Sequence, residues 1–136
     1  MKSQMNYLAI LACVVMHALL GGLWYSGIFA STWMSLNNIS PTATMSAGAL
    51  PYLYSIFMSL MMALLMTWLL GRLKMTTAME GARLGLILGF CTILVAFATN
   101  YRFSGRPETL ALIDGMYPVI SLVIMGAILG GWRKKA

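Results

Sequence analysis

His17 is the one histidine in a chain of 136 residues, and it stands midway along an apolar stretch. An ionisable ring at that depth in hydrocarbon is costly, so it is a functional candidate by default. Its plainer role is a neutral imidazole bonded to a neighbouring carbonyl or hydroxyl. Cys13 lies four residues before it and therefore on the same helical face. Cys91 falls at a similar depth on another apolar stretch. Thiolate, imidazole and the nearby Met16 are soft ligands of the kind that hold Cu(I). However, there is no Cys-x-x-Cys pair, and Met58, Met61, Met62 and Met66 read as filler of an apolar helix. Cys13, His17 and Cys91 are expected to hold no metal, and the chain is expected to need no cofactor.

A second polar group is formed by Asn100, Arg102, Arg106, Glu108, Asp114 and Tyr117. Asp114 falls early in a helix, where the dipole favours an anion. Arg106 is eight residues away across a short turn, so an Arg106–Asp114 pair is expected to clasp that turn. The functional alternative is a site for a ligand or a periplasmic partner, with Asn100 and Tyr117 lining it. Signatures of catalysis are missing: no nucleophile elbow, phosphate-binding loop, metalloprotease pair or carboxylate dyad occurs. The chain is therefore not expected to be an enzyme.

The elements that must position these groups are plain. Hydrophobic residues make up 60% of the chain and charged ones 9%, with a mean hydropathy of +0.84. A helix needs about 20 apolar residues to cross a bilayer. Four stretches qualify, at about 6–29, 50–71, 81–100 and 109–132. The expectation is an all-α polytopic membrane protein of one domain, with four transmembrane helices in two hairpins. With an even number of spans, Lys2, Arg72, Lys74, Arg83, Arg133, Lys134 and Lys135 share one side with both termini, and Arg102 and Arg106 hold the other. Seven basic residues against two place both termini in the cytoplasm. The net charge of +6 is then a matter of topology and anionic lipid, and nucleic acid is not an expected partner.

Between the first two spans, Ser31–Gly48 carries no charge. Ser31–Leu36 is predicted to form a short interfacial helix. Trp24, Tyr25 and Trp33 are placed in an aromatic belt at the outer interface. Thr76 or Thr77 can cap the third span, with Glu80 in its first turn. Pro107 suits the first turn of the fourth. Gly81, Gly85 and Gly89 recur every fourth residue, as do Gly126 and Gly130, and such rows let backbones approach in lipid. Tyr25-Ser26-Gly27 and Phe103-Ser104-Gly105 leave a faint trace of duplication.

Several of these residues together point to a family. Asn6-Tyr7-Leu8-Ala9, Gly22-Leu23-Trp24-Tyr25-Ser26, Phe29, Trp33-Met34, Gly81-Ala82, Gly85, Gly89-Phe90, Phe103, Gly105-Arg106-Pro107, Tyr117 and the stretch 126–132 resemble the domain of unknown function 1761 family of small bacterial membrane proteins. Trp-Tyr-Ser after an apolar helix is the most specific element. The family usually has proline next, where this chain has Gly27. The resemblance implies a four-helix membrane domain and no particular activity. The expected work is interaction, as a homo-oligomer or docked to another membrane protein of the bacterial inner membrane. The rival is a small oligomeric channel or transporter with a polar path near His17, Asn100 and Asp114.

Overall fold

The structure is a computed structural model. It describes residues 5–46 and 48–132, with the side chains of 44–46 left out. Lys2, Arg133, Lys134 and Lys135 of the charge argument lie outside the described residues. Among those described, seven α-helical segments and no strand occur. They are α1 (Tyr7–Gly22), α2 (Ala30–Asn37), α3 (Pro41–Ser46), α4 (Leu50–Arg72), α5 (Ala78–Leu88), α6 (Val95–Phe103) and α7 (Glu108–Gly131). A π-helical turn, Leu23–Ile28, extends α1, and a second, Gly89–Leu94, joins α5 to α6.

Four continuous helices result: Tyr7–Ile28, Leu50–Arg72, Ala78–Phe103 and Glu108–Gly131, with mean hydropathies of 1.9–2.0. Each is long and apolar enough to cross a membrane. Their boundaries follow local chemistry. Asn6 caps α1 by accepting from the Ala9 amide at 3.3 Å. Thr77 and Glu80 form a reciprocal capping box on α5, as the sequence suggested. Pro107 is the residue that precedes α7 rather than its first turn, and Gly105, at φ +70°, makes the bend before it. The helix expected at Ser31–Leu36 is α2. The short α3 in the uncharged loop was not foreseen.

The fourth span is central. It is 44% buried over its apolar window, whereas the second and third are 22% buried, so the other spans surround it. Residues Ala9, Ile10 and Cys13 of α1, Ala63, Met66 and Leu70 of α4, and Leu122, Met125 and Leu129 of α7 make one core. The Asn6 side chain also donates to the Trp132 carbonyl at 2.7 Å, tying the start of the first span to the end of the fourth. We call that end proximal and the opposite end distal.

The glycine row of the third span meets the fourth span of the same chain. Cβ atoms placed at Gly81 or Gly85 would collide with the backbone of Gly126 or Leu122, and one at Gly89 would lie 2.9 Å from the Val119 Cα. Gly130 stands against the Thr77 carbonyl. Backbone thus touches backbone along the whole row, and dispersion contacts accumulate without side-chain ordering. The two aromatic-Ser-Gly triplets differ: Gly27 lies in a π-helical turn, and Gly105 has a positive φ. Their likeness does not extend to conformation.

Candidate functional site

Asp114 is the centre of the distal end. It sits in the second turn of α7. Its Oδ1 accepts from the Tyr25 hydroxyl at 3.0 Å and from the Trp33 indole N–H at 2.9 Å. Its Oδ2 accepts from the Tyr101 hydroxyl at 2.8 Å. One carboxylate therefore binds the π-helical turn of the first span, α2 and the third span to the fourth. Bonds to a charged acceptor contribute about 1.5–3 kcal/mol each, more than neutral ones.

The expected Arg106–Asp114 pair is not formed. Arg102 pairs with Glu108 at 2.8 Å, with both side chains more than three-quarters exposed. Arg106 lies over the Tyr101 ring, 5.1 Å from its centroid. The reason is helix length. The third span continues to Phe103, beyond the boundary near residue 100 read from composition. Tyr101 is thus part of a helix facing α7 and reaches Asp114 from the side, while Arg106 belongs to the turn above. Asn100 is exposed and does not join Asp114 or His17.

The tryptophans and tyrosines of the distal end make specific bonds to α7. The Phe29 amide bonds the Trp24 carbonyl, five residues back, which widens the turn. In this turn the adjacent Trp24 and Tyr25 both reach α7. The Trp24 indole donates to the Ile113 carbonyl at 3.0 Å. Pro118 has no N–H to give the helix, and the carbonyl that loses a helical donor for it is that of Asp114, next to Ile113. Tyr25 packs edge-on against both Trp33 and Tyr117, with ring centroids 5.4 and 5.3 Å apart. Read from composition as belt residues, these side chains had no partner assigned, and their bonds to α7 come from the structure.

Below this cluster lies His17, which is 5% exposed. Its Nδ1 is 2.6 Å from the Ser121 hydroxyl, the direction of the bond depending on the tautomer. The Tyr117 hydroxyl donates to the His17 carbonyl at 3.0 Å, and the two rings lie 4.9 Å apart. Asp114, Tyr117 and Ser121 stand at i, i+3 and i+7 of α7, so one face of the fourth span carries all three. Ser121 was missed in the sequence, although its spacing from Tyr117 and Asp114 was a usable signal. Tyr101 was missed because it was assigned to a loop.

Cys13 is buried with its thiol 3.9 Å from the Met125 carbonyl, whereas Cys91 is exposed on the third span. The structure does not bring the two cysteines and His17 together. No group of three His, Cys, Asp or Glu gathers among the described residues. The buried side-chain nitrogens and oxygens among those residues all have partners. Such an arrangement stabilises a carboxylate and joins helices.

Four long apolar helices and an interior polar seam define the class: an all-helical chain built to cross a membrane several times. More particularly, the family model described as "Protein of unknown function (DUF1761)" matches residues 8–130, and the chain belongs to that family. No curated protein and no solved structure matches it.

Proposed function

We propose that this protein is a non-catalytic membrane module of the bacterial inner membrane, working as a homo-oligomer or as a subunit docked to another membrane protein. Both termini face the cytoplasm, and the four spans run as two antiparallel hairpins, in line with the basic residues at the proximal end. The observation that carries this reading is the state of His17. It is buried between the first and fourth spans and bonded to Ser121, as a packing residue would be. The glycine row no longer supports association, because it is used within the chain. A different face takes its place. Ala18, Gly22 and Ser26 stand one turn apart on the exposed side of the first span, and a Cβ at Gly22 would meet nothing within 4 Å. Small residues on an open face let a second helix approach.

The test is the mass of the detergent-purified particle. It should exceed one chain, and Gly22→Leu should reduce it while the melting temperature of the separated chain stays the same. A monomer that copurifies with no other membrane protein would overturn the proposal.

A second reading has one observation in its favour. Tyr25, Asp114, Tyr117, His17 and Ser121 run from the distal end to mid-span, as a small channel or transporter would require. Asn100, expected on such a path, is not part of it. Ion or proton flux in liposomes that disappears in His17→Leu, with the fold intact, would favour this reading over the first.

A further inference from the structure

The third and fourth spans touch closely only as far as the glycines permit. Gly89 is the last of the row against Val119, and Leu94 then fits over Gly115. Beyond Leu94 a groove opens between α6 and the first turns of α7. Its walls include Leu94, Ala98 and Ala111, and its distal rim carries Arg102, Arg106 and Glu108. Ala98 and Ala111 are too small to fill the space between the two helices. The groove therefore has an apolar trough along two membrane-spanning helices and cationic side chains where those helices end.

We propose that this groove binds an anionic phospholipid, with one acyl chain in the trough and the phosphate held by Arg106 and Arg102. The occupant follows from the chemistry. An alkyl chain gains from the trough and a free anion does not, while the guanidinium groups favour a phosphate of net negative charge over one neutralised by an attached choline. Arg106 is prepared for this role. Its guanidinium carbon lies 5.1 Å from the centroid of the Tyr101 ring, a cation–π contact that restrains an otherwise exposed side chain. Arg102 is held by Glu108 in an exposed pair, which a phosphate can replace. Glu108 is thus a competitor built into the rim. The inference is independent of the oligomeric state and of the activity proposed above.

Detergent-purified protein titrated with phosphatidylglycerol, and separately with phosphatidylcholine, tests it by native mass spectrometry. One phosphatidylglycerol per chain should bind in preference to phosphatidylcholine. Arg106→Gln should weaken that binding by roughly tenfold, the loss of one charge-assisted contact. Ala98→Phe should block the trough and weaken both lipids. Glu108→Gln should strengthen phosphatidylglycerol binding by about threefold, because a competing carboxylate is removed. Glycerol phosphate, which has no acyl chain, should not bind at the same concentration. All three positions are exposed, so the variants should melt like the parent protein, and Glu108→Gln decides the matter if either of the others unfolds. Equal binding of the two lipids, a preference that survives Arg106→Gln, or binding left unchanged by Ala98→Phe would overturn the proposal.

Discussion

The third span holds the fourth in two ways, and the contrast runs along a single interface. At the proximal end Gly81, Gly85 and Gly89 bring backbone onto backbone, with no side chain between them. At the distal end Tyr101 reaches across to Asp114, where Tyr25 and Trp33 also converge. The first contact depends on shape. It has no polar partner to lose and no room for one. The second depends on hydrogen bonds to a charge and can be weakened in steps. A membrane protein needs both kinds, because lipid supplies no hydrophobic force between helices. Shape brings two spans close, and a shared carboxylate determines which other segments join them.

The largest effect should come from the shape-dependent contact. Gly85→Leu would drive a side chain into the Leu122 backbone, which cannot move without displacing the core of α7. A loss of about 3 kcal/mol or more, or failure to fold, is expected in detergent melting. An unchanged melting curve would show that the two spans do not touch there.

Next comes the carboxylate. Asp114→Ala leaves Tyr25, Trp33 and Tyr101 without their acceptor and should cost about 2–4 kcal/mol. Asp114→Asn keeps one acceptor oxygen and should cost about half as much. Tryptophan fluorescence should shift in both, since Trp33 loses or exchanges its partner. If asparagine behaved like the parent protein, the charge would be irrelevant and the contrast between the two ends would fail.

His17→Leu should be milder. It removes one bond and leaves the Ser121 hydroxyl to find another acceptor within its helix, so a loss of about 1 kcal/mol is expected. His17→Leu with Ser121→Ala should cost less than the sum of the two changes. Strict additivity would argue that the bond is not made.

The smallest effect belongs to the exposed ion pair. Arg102→Gln should change stability by no more than about 0.5 kcal/mol, and salt should erase even that. A larger loss would mean that the distal turn depends on Arg102 as well as on Asp114.

Much of the fold was legible because spans declare themselves by composition. Their length is fixed by bilayer thickness, and the Thr77–Glu80 box fixes the start of α5 through local bonds. The glycine row was legible as a packing face, but its partner was not. A row of small residues states that a helix comes close without stating which one. Arg106 and Asp114 show the limit more sharply. Opposite charges eight residues apart suggest a pair, yet the same carboxylate can be satisfied by neutral donors from segments 13, 81 and 89 residues away. Sequence distance says nothing about such donors.

By itself, the sequence determined the number of spans, their approximate limits, the cap at Thr77, and the small-residue faces, all of which follow from neighbours within a turn or two. The tertiary structure alone decided the rotation of each span about its own axis. Two π-helical turns and the proline at 118 shift which side chains face inward, and no helical projection of the sequence anticipates them. That rotation sends Trp24 and Tyr25 to the fourth span, turns Asn100 away from it, and sets His17 beside Ser121. The physical reason is that local bonds fix where a helix starts and stops, whereas its orientation is settled by the joint packing of all its neighbours.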